Sequence, residues 1–385
     1  MMTVVYYTST SFLDVIIETI QSLKHQVKLH VVIEIAQSSK NSTIINVDDL
    51  DSMATIEQPE KLLGKTKWDE LKPYFEDVAT VEFVVQKNKR AFSFETLNTA
   101  YQLGKYLRKY KADIIHFDSI STCAIGLYLY ARTKKVFIAI HDPAPHSGEA
   151  SWREKIPKKI FFPLAKGFFF YSAFAESQFK KNYPAINKAL YTIKLQPYTF
   201  VKTYLTKSTI DPEYVLFFGR LSYYKGIDIL LEAIPGVLKK IPQQKFIIAG
   251  KPDYDFKLDE TLFENVKDNI TLVERFLSTE ELVHLIQASQ FVVCPYRDAT
   301  QSGVVMTTFA VGKPVVATNV GSFSEYINDD INGLLAEPTS ESIAEKIIYA
   351  LENKHFRTLE NNVVSSFSEQ TGDENEKIII NAYNK

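Results

Sequence analysis

Residues 214–234 read Tyr-Val-Leu-Phe-Phe-Gly-Arg-Leu-Ser-Tyr-Tyr-Lys-Gly-Ile-Asp-Ile-Leu-Leu-Glu-Ala-Ile. Val215 to Phe218 is a short apolar run closed by a glycine, the pattern of a buried strand. Ile227, Leu230, Leu231 and Ile234 then recur at helical spacing. Between strand and helix lie Gly219, Arg220, Lys225 and Gly226. In open α/β sheets ligands bind beyond the carboxyl ends of the strands, so this strand delivers an arginine and a lysine to the ligand edge. Guanidinium offers a planar fork to phosphate oxygens and ammonium a mobile point charge, a combination that suits a diphosphate. Taken alone, the loop reads equally well as two solvated surface cations.

Residues 291–318 carry the second half of the pattern: Phe-Val-Val-Cys-Pro-Tyr-Arg-Asp-Ala-Thr-Gln-Ser-Gly-Val-Val-Met-Thr-Thr-Phe-Ala-Val-Gly-Lys-Pro-Val-Val-Ala-Thr. This is strand, polar loop, helix, Gly-x-Pro stop and strand. Ser302 suits an N-cap and Gly312 a C-terminal glycine, which predicts a helix of about ten residues. Gly303 in its first turn lets an anion approach the free N–H groups of Ser302 to Val304 at the positive end of the helix. One loop then supplies side-chain cations and the other a helix N-terminus.

Phe218-Gly219-Arg220-Leu221, Lys225-Gly226, Leu230-Leu231-x-Ala233, Ala249-Gly250, Gly312-x-Pro314-Val315-Val316-Ala317-Thr318, Gly321 with Glu325, and Asn332-Gly333-Leu334-Leu335 together resemble the nucleotide-sugar domain of the family 4 retaining glycosyltransferases. The match is dense over residues 210–345 and loose elsewhere. It implies a GT-B fold: α/β, two doubly wound Rossmann-like domains facing a cleft. It also implies a nucleoside diphosphate sugar as donor, with retention at the anomeric carbon. The family's usual pair of glutamates falls on Ala299 and Thr307, neither acidic. The stretch Ala299 to Gly303 resembles a branch that uses this polar loop instead. Asp298 is the one carboxylate nearby, and Gln301, Ser302 and Thr307 are then the expected contacts to the donor's ribose and sugar hydroxyls. Arg275 and Phe276 follow the strand Ile270 to Val273, where the family's nucleotide base packs, and backbone contacts are expected from both.

A length of 385 residues suggests two domains, each with its own core. Apolar content of 45% and charged content of 23% fit a soluble globular protein. A net charge of −2 argues against a dedicated nucleic-acid binder. Cys123 and Cys294, both in apolar context, provide no disulfide framework, and a reduced, cytoplasmic setting is expected. The N-terminus has neither the basic start nor the apolar core of a signal peptide. No stretch approaches the ~18 apolar residues of a membrane span.

Strands are expected over residues 3–7, 27–35, 81–85, 114–116, 136–141 and 167–171, with helices over 12–23 and 92–110 and from 171 through 181. Residues 36–80 show no clear period. Strands alternating with helices imply parallel sheets. A polar stretch near 200–212 divides an acceptor-side domain, 1–205, from a nucleotide-sugar domain, 206–371. The terminal helix, 372–385, is expected to cross back to the first domain, as the family's does.

His141 opens His-Asp-Pro-Ala-Pro-His146 at a strand end. The resemblance places it beside the sugar transfer point, donating to the donor sugar or the acceptor; otherwise it caps a strand. His146 is a weaker candidate, and His116 reads as a packing residue. Asp49-Leu50-Asp51 and Asp253-Tyr254-Asp255 lack further ligands and read as solvated turns, so no metal is expected. Arg220 and Lys225 can do electrostatically what a divalent cation would do for the leaving diphosphate. Glu325 sits within reach of the donor's base or ribose, but three residues after Ser322, as in a capping box, and the structural reading leads. Residues 151–181 carry seven Lys or Arg against Glu154 and Glu176, a local charge of +5 that leaves −7 for the rest of the chain. With Trp152, Phe161 and Phe162 interleaved, 152–162 reads either as a solvated face or as peripheral membrane contact on the inner side of a membrane.

The resulting expectation is an enzyme, a hexosyl-type glycosyltransferase without cofactor other than its nucleotide-sugar co-substrate. His141, Arg220 and Lys225 are its catalytic candidates. Gly219, Arg275, Phe276, Asp298, Gln301, Ser302, Gly303, Val304 and Thr307 would bind the donor. The acceptor would be a glycan or a lipid-linked molecule in polysaccharide or glycolipid assembly. A nucleotide-sugar epimerase of the same architecture, or a catalytically silent binding subunit, remains open.

Overall fold

The computed structural model describes residues 1–37, 39–40, 44–88, 90, 92–143, 152–206, 212–253, 257, 259–366 and 370–385. His146 and Asp255 lie outside the described residues.

Two sheets organise the chain. The first contains β1 (Thr3–Ser9), β2 (Lys28–Ala36), β3 (Ile56–Glu57), β4 (Thr80–Gln86), β5 (Ile114–Phe117), β6 (Lys135–Ile140), β7 (Ala165–Phe170) and β8 (Ala189–Thr192). Its order is β3-β4-β2-β1-β5-β6-β7-β8, parallel throughout except for the edge pairing of β3 with β4. The second contains β9 (Tyr214–Phe218), β10 (Lys245–Ala249), β11 (Ile270–Val273), β12 (Ser289–Cys294), β13 (Val315–Thr318) and β14 (Gly333–Ala336), in the all-parallel order β11-β10-β9-β12-β13-β14. Helices cover both faces of a parallel sheet, so its strands read as continuous apolar runs. Val215 to Phe218 are accordingly all buried. This is the GT-B arrangement of two Rossmann-like sheets.

In each sheet the crossovers reverse direction once, between β1 and β5 in the first and between β9 and β12 in the second. Such a switch point leaves a crevice at the carboxyl ends of its strands. The segments emerging there are Thr10 to Asp14 and Asp118 on one side, and Gly219 to Lys225 and Pro295 to Gly303 on the other. Gly226 begins the helix Ile227–Lys240 at φ 64, and a Cβ there would lie 1.9 Å from the Pro295 carbonyl oxygen. Only glycine fits, and the two second-sheet loops are thereby held against each other.

The helix Gly303–Ala310 starts at Ser302, whose hydroxyl accepts the Val305 N–H. It ends in a bond from Lys313 N to Thr308 O around Gly312, at φ 87, a Schellman turn. Residues 36–80 hold the two-residue edge strand β3 and the short helices Pro59–Leu63 and Lys65–Leu71.

The chain crosses between the sheets through the turn Thr199–Tyr204 and again ahead of the helix Gln370–Asn384. That helix packs on the first sheet. Tyr383 Oη lies 2.5 Å from His116 Nδ1, and the Asn375 side chain bonds both the N–H (2.8 Å) and the carbonyl (2.7 Å) of Lys194.

Glu325 departs from the capping-box expectation. Ser322 places no side-chain cap on the helix Phe323–Tyr326. The Glu325 carboxylate instead accepts the N–H groups of Ala173 and Phe174, both at 2.8 Å, at the start of the helix Ala173–Asn182 on the first sheet. Orphan amides at a helix start attract a carboxylate from whatever element can reach them. Ser172 donating to the Thr300 carbonyl (3.2 Å) and Tyr326 to the Tyr171 carbonyl (2.7 Å) complete this bridge between the halves.

Candidate active site

A cavity of about 350 Å³ opens at the second switch point. Gly219, Arg220 and Lys225 line one wall, Gly303, Val304 and Thr307 another, and Arg275 and Phe276 the rim; Asp14 enters from the first sheet. Asp298, Gln301, Ser302 and His141 are not among its lining residues.

Lys225 is 7% exposed. Its ammonium donates to Tyr296 Oη at 2.5 Å and lies 4.3 Å from that ring's centroid. Burial pushes the Tyr296 phenol well above its ordinary pKa, so it stays a neutral acceptor. A Cβ on Gly219, at φ 122, would sit 3.3 Å from both Lys225 Nζ and Val304 Cγ2. The missing side chain thus keeps an open path between the lysine and the start of the Gly303–Ala310 helix, whose N–H groups and dipole favour an anion. Arg220 is more exposed. Its neighbours include Asp253 Oδ2 at 3.5 Å and Tyr224 Oη at 3.4 Å.

Behind the cavity lies a buried cluster on the first sheet. Asp118 is fully buried and accepts from Tyr6 Oη (3.1 Å), Tyr171 Oη (3.0 Å) and Thr8 Oγ1 (3.1 Å). His141 Nε2 lies 3.1 Å from its Oδ2. Burial raises the Asp118 pKa, but the imidazole and the hydrogen bonds outweigh it and hold the carboxyl below its ordinary range. For His141, burial lowers the pKa and the Asp118 charge raises it further, with a net rise. The ring stacks between Phe12 (4.1 Å) and Tyr171 (4.9 Å).

Nδ1 of His141 lies 2.7 Å from Gln301 Nε2, on the loop after β12. Both ring nitrogens are therefore in use. Both face protein partners, Asp118 and Gln301, and neither His141 nor Gln301 is among the residues that line the cavity. Gln301 Oε1 is buried without a partner. When the ring is neutral, Nδ1 accepts from the amide nitrogen; when it is charged, an amide flip lets Oε1 accept from Nδ1–H.

Asp14 belongs to none of the sequence motifs. It sits in the first turn of the helix Leu13–Leu23, where Oδ1 accepts the Val15 N–H at 2.9 Å. Burial pushes its pKa up to about 6, with His141 and the Val15 amide lowering it and Asp118 raising it. The available signal was an acidic residue in the first turn after the first strand, on the switch-point edge.

The remaining expected site residues serve local structure as well. Arg275 is bound by Glu281 at 2.7 and 3.1 Å, so its guanidinium is committed there, as the expectation of backbone contacts allows. Phe276 is 50% exposed at the rim. Thr307 is buried in the wall, and Asp298 is partly buried away from it. Asp49 accepts the Asp51 N–H, a solvated turn. Among the described residues no three His, Cys, Asp or Glu side chains cluster to hold a metal, and no helix is long and apolar enough to cross a membrane.

Comparison with known proteins adds four findings. An uncharacterised glycosyltransferase of Methanocaldococcus jannaschii is 31% identical over 149 residues, 38% of this chain and 38% of that protein. The chain thus spans about two-fifths of that curated relative. Sucrose-phosphate synthase from Thermosynechococcus elongatus superposes with TM-score 0.67 at 17% identity, covering 100% of both chains. Anabaena HepE in complex with UDP and glucose superposes with TM-score 0.67 at 15% identity, covering 99% of this chain and 100% of the other. Residues 203–365, which hold the second sheet and the cavity's cations, match the family described as Glycosyl transferases group 1.

Proposed function

We propose that the chain is a metal-independent glycosyltransferase that moves a sugar from a nucleoside diphosphate sugar to a hydroxyl acceptor. The observation that carries this reading is the convergence of Arg220, Lys225 and the start of the Gly303–Ala310 helix on one cavity, with Gly219 leaving the path between them open. As the bond from anomeric carbon to phosphate breaks, negative charge grows on the diphosphate. Arg220, Lys225 and the helix N–H groups stabilise it. A structural neighbour solved with UDP and glucose supports this class of donor. Asp118 fixes the His141 ring, and His141 holds Gln301 on the loop that leads into the Gly303–Ala310 helix, so His141 is a positioning residue. The acceptor, a glycan or lipid-linked molecule in polysaccharide or glycolipid assembly, enters from the first sheet.

Retention follows from the family resemblance, with the leaving phosphate taking the acceptor's proton. Asp14 favours a second stereochemical reading. A cavity carboxylate with a pKa near 6 can itself take that proton while the acceptor attacks from the opposite face, with inversion. The anomeric configuration of the first-formed product, read by proton NMR, separates the two. A thermal-shift screen over UDP, GDP, ADP and their sugars tests the donor class, because a ligand of the folded state raises Tm by linkage. No shift with any of them would remove the proposal.

A further inference from the structure

A second hollow, of about 650 Å³, lies on the first-sheet half and shares no lining residue with the nucleotide cavity. Its floor is apolar: Phe162 meets Tyr183 edge-on, 5.3 Å between centroids, beside Pro163 and Ile186. Its rim is cationic. Lys155, Lys158 and Lys159 stand three and four residues apart on the helix Trp152–Phe161, hence on one face of it, and Lys188 approaches from the turn before β8. The helix is anchored by Phe161, which is fully buried, so the lysines are held over the hollow. Among the described residues no carboxylate lines it. Lys155, Lys159 and Lys188 have no ion-pair partner among the described residues.

Ammonium groups ringing an apolar floor match a phosphate carried next to hydrocarbon, as in a lipid head group. A free phosphate makes no use of Phe162 and Ile186, and an uncharged apolar partner leaves the lysines unused. We propose that this hollow docks the protein on a bilayer by seating the phosphate headgroup and first methylenes of an anionic lipid. Pro143 belongs to the same wall, two residues beyond His141, and its carbonyl accepts from the Asn182 amide at 3.5 Å. The inference stands apart from the glycosyl-transfer reading, since vesicle binding is measured without turnover.

Co-sedimentation with vesicles of phosphatidylcholine, with and without phosphatidylglycerol, tests it. The protein should pellet with the phosphatidylglycerol vesicles, and less so as salt screens the lysines. Each lysine near an anionic surface is worth about fivefold, so Lys155→Gln/Lys159→Gln/Lys188→Gln should lower partitioning roughly 100-fold at unchanged Tm. The matching triple replacement by Arg should retain binding. Equal pelleting of wild type and the Gln variant, equal binding to phosphatidylcholine alone, or loss in the Arg variant as well would overturn the proposal. So would an absence of vesicle binding accompanied by stabilisation of wild type, but not the Gln variant, by inorganic phosphate, which would make the hollow a soluble-phosphate site.

Discussion

Gln301 and His141 meet across the two sheets, 2.7 Å between amide nitrogen and Nδ1, so the loop after β12 is tied to the ring that Asp118 holds at the end of β6. The first expected consequence concerns stability. Removing His141 leaves Asp118 as a buried charge without its counterion, whereas removing Gln301 breaks one hydrogen bond. His141→Ala should destabilise by about 3–5 kcal/mol and Gln301→Ala by about 1 kcal/mol. Denaturant unfolding measures both, and the reverse order would refute the pairing.

The same pair sets a pH window. Asp118 is depressed, so its contribution is present above the unfolded carboxylate pKa and is lost as pH falls through the folded value. His141 is raised, so its contribution is present below the unfolded imidazole pKa and is lost as pH rises through the folded value. The stability difference between wild type and His141→Ala should therefore be greatest between about pH 4 and pH 6.5, the unfolded values. Tm measured across pH for both proteins checks it; a difference still growing above pH 8 would not fit.

Asp14 behaves in the opposite sense to Asp118. Its folded pKa of about 6 is raised, so stability is lost as pH rises from the unfolded carboxylate value toward 6. Asp14→Asn should raise Tm at pH 8 and leave it unchanged at pH 4. If Asp14 takes the acceptor's proton, the same variant loses turnover by roughly 10²-fold, and the wild-type rate climbs through pH 6. Wild-type turnover in the variant would return the proton to the leaving phosphate.

Glu325 caps a helix of the other half, and Glu325→Ala should lower stability by about 1 kcal/mol, as loss of a helix cap does. Limited proteolysis near Thr199–Tyr204 should also quicken as the two halves separate more readily. An unchanged cleavage rate would show that the cap does not join them.

The parts of this molecule legible in the sequence were those whose signal is local. The run Val215 to Phe218 and the spacing of Ile227, Leu230, Leu231 and Ile234 identify β9 and its helix because each element's own burial writes the pattern. Residues 36–80 were opaque because β3 is two residues long and the helices around it are a turn or two each. The strand β8 went unseen because it lies at a sheet edge and is partly exposed along its length. Asp118 left no trace at all. Its partners Tyr6 and Thr8 come from β1, His141 and Tyr171 from just beyond β6 and β7, and no spacing connects them. Glu325 shows the opposite failure: a local Ser-x-x-Glu pattern was present, but a helix across the cleft had the better claim on the carboxylate.

Titration calorimetry of UDP, GDP and ADP into wild type and Lys225→Ala tests the central claim most directly, because it isolates the diphosphate grip from acceptor and stereochemistry. At least one nucleotide should bind the wild type, and Lys225→Ala should weaken that binding by roughly 10²-fold, as loss of a charge-assisted contact in a buried site does. Binding of none, or equal binding to the folded variant, would contradict the assignment of this cavity to a nucleoside diphosphate.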